Sequence, residues 1–152
     1  MQKITTFLWF DNNAKEAIDF YTSIFDNSKL VNIMPGPDGG ILSATFQLEG
    51  QEFFALNGGP QFKFNEAISL CVMCETQEEI DDKWEKLLAG GGEESWCGWL
   101  KDKFGLSWQI TPPMLPKLLS DTDREKAGRA MQAMMKMRKI DIQAIQNAAD
   151  GK

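Results

Sequence analysis

The residues able to do chemistry in this chain are set first by an omission: none of its 152 residues is histidine. No imidazole is available as a metal ligand, as a general base, or as the partner that activates a Ser or Cys nucleophile. What remains is mostly neutral. Gln109 sits in Asp102-Lys103-Phe104-Gly105-Leu106-Ser107-Trp108-Gln109-Ile110, a turn followed by a strand-like run. Side chains alternate along a strand, so Ser107 and Thr111 would share the face of Gln109 while Trp108 and Ile110 turn to the core. Asn57, Asn65 and Ser69 are polar residues beside apolar runs. They could orient a ligand by hydrogen bonds, although Asn57 and Asn65 equally suit turns.

Aromatic side chains supply the apolar counterpart. Trp9, Trp96, Trp99 and Trp108 lie on strand-like runs, where they would either stack a planar ligand or pack as core. Phe62 and Phe64 alternate in a loop and would close over a cleft or lie in a dimer interface. Cys71 and Cys74 form a C-x-x-C, but three residues apart on a strand they face opposite ways, which opposes a shared metal or a redox pair. Buried, reduced thiols are the expectation. Among acid–base candidates, Tyr21 falls on a helix away from any cleft, and Asp102 and Lys103 fall in a hairpin turn where charge is normally solvated.

The elements that must position these residues repeat. Lys3–Phe10 reads as a strand. Asn13 with Glu16 three residues on reads as a capping box opening a helix through Phe25. Lys29–Met34, Ile41–Leu48 and Gln51–Leu56 read as strands. The order then restarts: Ala67–Cys74 as a strand, a helix capped by Thr76 with Glu79, and strands at Glu93–Cys97, Trp99–Asp102 and Leu106–Thr111. Two β-α-β-β-β modules, about 1–60 and 66–112, thus make a domain over 1–119. A helical C-terminal arm, residues 120–152, is expected as a helix from Asp121 to Met137 and another over Ile140–Ala149. The arm is methionine-rich and amphipathic, suited to packing on its own body, on a second subunit, or on a partner.

Composition narrows the partners. The net charge is −6, and seven basic against five acidic residues in the tail leave the first 120 residues at −8. Such a body repels phosphate backbones, so nucleic acid is not expected as a partner. No apolar run approaches the ~20 residues that span a bilayer, and no signal-peptide core opens the chain. A cytoplasmic protein without a membrane partner is the expectation.

The paired modules, together with Phe7-Leu8-Trp9-Phe10-Asp11, Ala17-Ile18-Asp19-Phe20-Tyr21, Ala55-Leu56-Asn57-Gly58-Gly59-Pro60, Cys97 through Gly105 and Lys126-Ala127 through Met137, resemble the PhnB-like group of the vicinal oxygen chelate superfamily. That superfamily includes glyoxalases, extradiol dioxygenases and bleomycin- or fosfomycin-resistance proteins. The resemblance implies an α+β fold in which the two modules curl into a mixed sheet around a cleft, and a homodimer. It implies metal ligands on the first and last strands of each module, at positions matched here by Gln109, by residues near Thr6 and Ala67, and by Leu56 or Asn57. None of these is His or Glu, so no metal and no other cofactor is expected. The cleft candidates are Thr6, Asn57, Phe62, Phe64, Asn65, Ser69 and Gln109. The reading that follows is a protein binding a small, partly apolar molecule without a metal. The alternatives are a metal-dependent lyase, isomerase or dioxygenase of the same superfamily, and the methyltransferase activity that group members carry as a label. An S-adenosylmethionine site of the usual kind needs a glycine-rich turn from strand to helix, and no glycine cluster here opens a helix after a strand.

Overall fold

A computed structural model describes residues 2–152. The chain divides into two compact units, residues 1–64 and 65–152. Among the described residues no helix is long and apolar enough to cross a membrane.

The first unit is β1 (Thr6–Phe10), α1 (Ala14–Ile24), β2 (Lys29–Pro35), β3 (Ile41–Leu48) and β4 (Gln51–Asn57). Its sheet runs β1-β4-β3-β2, with β1 parallel to β4 and the other pairs antiparallel. Alternation decides the faces. Leu8, Phe10, Ala44, Phe46, Leu48, Phe53 and Ala55 are buried, and they meet Ala14, Ala17, Ile18, Tyr21 and Ile24, which recur at helical spacing along α1. The side chain of Asn13 does not cap α1. The cap comes from across the sheet: the Ala14 amide donates to Asn57 Oδ1 at 2.9 Å, and Asn57 Nδ2 donates to the Ile41 carbonyl at 3.0 Å. The expected capping box therefore gives way to a tertiary cap that ties the end of β4 to the start of α1.

The second unit is β5 (Ser69–Met73), α2 (Gln77–Leu88), β6 (Glu93–Glu94), β7 (Trp99–Lys101), β8 (Ser107–Thr111), α3 (Met114–Leu119), α4 (Arg124–Met135) and α5 (Ile142–Ala149). Its sheet runs β5-β8-β7-β6, with β5 parallel to β8. Here Thr76 caps as expected, its hydroxyl accepting from the Glu79 amide at 3.1 Å. Ile80, Trp84 and Leu87 of α2 are buried, as are Leu100, Trp108 and Ile110 of the sheet. The expected strand over Glu93–Cys97 shortens to two residues, because Cys97 and Gly98 take left-handed backbone (φ 61° and 84°) and turn the chain into β7. A Cβ on Gly98 would stand 2.9 Å from the Ile110 carbonyl, so both its conformation and its surroundings require glycine.

The arm packs within its own unit. The long helix starts at Arg124 rather than Asp121, because Asp123 is the cap, accepting from the Glu125 and Lys126 amides. The Met137 and Arg138 carbonyls accept from the Cys97 and Gly98 amides at 2.8 Å. Gln77 bridges the arm to α2, donating to the Ile140 carbonyl and accepting from the Ile142 amide, both at 2.9 Å. Lys139 pairs with Asp81 at 2.8 Å, an instance of basic arm against acidic body.

Candidate functional site

Each sheet buries one face under its helix and leaves the other open. In the second unit strand register fixes the open face, since directly paired residues share a face. One row is Ser69, Ser107, Lys101 and Glu93, and the next is Cys71, Gln109 and Trp99. Met73 and Thr111 follow. Ser107, Gln109 and Thr111 therefore lie together as the alternation predicts, opposite Trp108 and Ile110. Gln109 Nε2 donates to Ser69 Oγ at 2.9 Å, so two of the sequence candidates are brought into one polar pair. Gln109 Oε1 accepts no hydrogen bond from the described residues.

Beside that pair, Glu66, Glu93, Glu94, Ser95, Trp99, Lys101 and Ser107 line an open pocket of about 180 Å³. Lys101 Nζ pairs with Glu66 at its rim. Each holds the other charged: Lys101 pushes the Glu66 carboxyl below its ordinary range, and Glu66 pushes the Lys101 ammonium above its own. Ser107 is 1% exposed, and its hydroxyl has no hydrogen-bond partner among the described residues. Buried hydroxyls are ordinarily paired, so this one stands out. Parity places Ser107 on this face, but its lack of a partner is invisible in the sequence.

The wall of the pocket is held by the arm. Arg138 stacks over the Trp96 ring, 3.8 Å from its centroid, and its Nη1 donates to the Glu94 carbonyl at 3.4 Å. Trp96 is thus an exposed side chain in a turn, not a strand residue of the core. Trp84 Nε1 donates to Glu94 Oε1 at 3.0 Å and fixes that carboxylate from the α2 side.

Asp102 departs from the expectation of a solvated turn charge. It is 3% exposed. Its Oδ1 accepts from the Phe104 amide at 2.8 Å and the Leu106 amide at 3.1 Å, and its Oδ2 from Trp108 Nε1 at 2.9 Å. The carboxylate organises the turn that aims β8 and is a structural residue.

In the first unit the open face is apolar. Phe7 (57% exposed), Trp9, Phe54 and Leu56 share it. Phe7 meets Phe54 edge-on at 5.6 Å, and Phe62 meets Trp9 edge-on at 5.0 Å. Trp9 Nε1 donates to the Gly59 carbonyl at 2.9 Å, and its ring lies where a Cβ on Gly58 would be, 2.4 Å away. Phe64 packs on Phe10 at 5.3 Å. Thr6 falls on the other side, in phase with buried Leu8 and Phe10, so Phe7 is the first-strand residue that the open face presents. Asn57 is committed to the α1 cap, and Asn65 closes a local turn by accepting from the Ala67 amide at 2.9 Å.

The cysteines are free thiols. Cys71 is exposed on the open face and Cys74 is buried, on opposite sides as the spacing predicts. Burial pushes the Cys74 thiol up to about 12. Among the described residues, no three His, Cys, Asp or Glu side chains gather where they could hold a metal ion.

Residues 2–111 match the family described as 3-demethylubiquinone-9 3-methyltransferase. A PhnB protein from Bacillus cereus shares 43% identity, with a TM-score of 0.68, over 73% of this chain and 99% of its own. Two more distant structures share the fold: a Pseudomonas aeruginosa protein at 17% identity and TM-score 0.61, over 74% of this chain and 98% of its own, and the fosfomycin resistance protein FosX of Listeria monocytogenes at 17% and 0.57, over 79% and 100%. FosX was crystallised with Mn(II) and 1S,2S-dihydroxypropylphosphonic acid. No curated protein matches the chain.

Proposed function

We propose, for a chain that belongs to the 3-demethylubiquinone-9 3-methyltransferase family with its PhnB-like, vicinal-oxygen-chelate fold, that it binds a small, partly apolar molecule on the open face of its second sheet without a metal ion. One observation carries this reading: the last-strand position that the superfamily uses for a metal ligand holds Gln109, whose amide donates to Ser69. Tight sites for Zn, Fe, Mn or Ni rely on imidazole, carboxylate or thiolate. A carboxamide and a hydroxyl bonded to each other do not fit that requirement, and no step through a metal is derived. They do fit ligand recognition, where a few convergent polar groups beside aromatic surface fix orientation. Gln109 Oε1 would accept from the ligand, while Trp99 and Met73 offer apolar contact.

The methyltransferase activity in the family's description finds no support in the turns that lead from strand to helix. These are Asp11-Asn12-Asn13 before α1, Cys74-Glu75-Thr76 before α2 and Pro112-Pro113 before α3, and none contains the glycine that lets a backbone approach a cofactor closely. Homodimerisation is part of the proposal through the superfamily resemblance alone, and a cytoplasmic location through the composition of the sequence.

The test is a thermal-shift screen of small amphiphilic molecules in the presence of EDTA. A ligand that raises Tm under these conditions, and loses its effect in Gln109→Ala, supports the reading. Ligands that act only when a divalent metal is added would overturn it.

A further inference from the structure

We infer that the pocket beneath the Lys101–Glu66 pair is a subsite for a ligand's ammonium group, with Lys101 as its internal competitor. This rests on the reading that the open face of the second sheet binds a small molecule. The first observation is charge. Glu66, Glu93 and Glu94 line the pocket with a single lysine. The Glu94 carboxylate is held by Trp84 on the α2 side, which leaves the Glu66 and Glu93 carboxylates against one cation. Glu93 is paired in register with Lys101, whose ammonium bonds Glu66 and also feels the Glu93 charge. Like-charged groups lining one pocket favour a cation among them.

The second observation is independent of charge. The Ser107 hydroxyl is buried, faces this side of the sheet and has no partner among the described residues. Leaving a buried polar group unpaired is costly, and a ligand able to hydrogen-bond there would remove that cost. The third is the Trp99 ring, which also lines the pocket. An aromatic face attracts a cation within about 6 Å. The volume, about 180 Å³, is that of a one-ring molecule, given that an apolar cavity of roughly 150 Å³ takes up benzene. The chemical class is a primary amine carrying a compact apolar body. Its ammonium would take the place of the Lys101 ammonium against Glu66 and Glu93, and the lysine would swing to solvent on its flexible stem.

An anion site built on Lys101 makes the opposite prediction for the lysine, so the sign of one substitution decides. Binding of 2-phenylethylamine, 2-phenylethanol and 3-phenylpropanoate to the full chain is followed by the NMR shifts of the Trp99 indole and the Ser107 amide. The amine is expected to bind most tightly. Lys101→Gln should tighten it fivefold or more by removing the competitor, and Glu93→Gln should weaken it by a similar factor. Both positions are polar and solvent-accessible, so both variants should fold, which the dispersion of the same spectra verifies. Tighter binding of the carboxylate, with loss of binding in Lys101→Gln, would overturn the assignment. Equal binding of 2-phenylethanol, unmoved by Glu93→Gln, would overturn the ammonium class and leave the broader binding reading standing. No binding by any of the three would overturn the subsite, whereas the broader reading falls only to its own thermal-shift and metal measurements.

Discussion

Removing the Asp102 carboxylate should destabilise the second unit at the turn that precedes β8. Asp102→Ala strands three donors: the Phe104 and Leu106 amides and Trp108 Nε1. The Phe104 amide is only part-buried, so water can replace the lost bond there. The other two bonds are buried. Hydrogen bonds to a charged group contribute ~1.5–3 kcal/mol each, so two of them amount to about 3–6 kcal/mol. Relief of the buried charge returns part of this, leaving an expected loss of about 3–4 kcal/mol. Against the ~5–15 kcal/mol that holds a domain folded, that is a large fraction. Urea unfolding, followed by tryptophan fluorescence and far-UV circular dichroism, measures it as a fall in midpoint at constant slope. Asp102→Asn keeps an acceptor for the two amides but turns an NH₂ towards the indole N–H, and should lose about half as much. A double-mutant cycle with Trp108→Phe isolates the indole bond. A loss below ~1 kcal/mol in Asp102→Ala would mean that water reaches all three donors and that the carboxylate does not hold the turn.

Other positions give independent checks. Asn57→Ala removes the α1 cap and the tie to Ile41, and should cost about 1–2 kcal/mol in the same unfolding assay; no loss would mean that α1 needs no cap from β4. Cys74, its thiol pushed up to about 12, should resist iodoacetamide at pH 8 in the native protein and react once urea unfolds it; equal native rates at Cys71 and Cys74 would contradict its burial. Lys139, then Gln77, holds the Asp81 carboxyl below its ordinary 3.8. A depressed folded value stabilises above the unfolded one and is lost as pH falls through the folded one, so this contact between arm and body should weaken only below pH 3.8. Lys139→Met should raise the Asp81 midpoint in an NMR titration, and an unchanged midpoint would show that the pair does not form in solution.

Some of this architecture is legible in the sequence because its causes are local. The alternation around Gln109 puts Trp108 and Ile110 in the core and Ser107 on the open face, since period two is all that decision needs. Thr76 with Glu79 marks the start of α2 for the same reason. What escapes sequence reading depends on partners far along the chain. Asn13 has the right spacing for a capping box, yet the cap comes from Asn57, 43 residues from the Ala14 amide that it accepts from. Asp102 resembles a solvated turn charge until the turn folds its amides and the Trp108 indole back onto it. Thr6 shows how unforgiving strand register is: a slip of one residue exchanges it for Phe7 and reverses the face. The pocket at Ser107 joins residues from Glu66 to Ser107, and only the pairing of β6, β7 and β8 brings them together.

Metal-independent binding is tested most directly by elemental analysis of the protein purified without chelator. Far less than one Mn, Fe, Ni, Cu or Zn per chain is expected. One metal per chain, lost in Gln109→Ala, would contradict it and return the protein to the metal-dependent members of its superfamily.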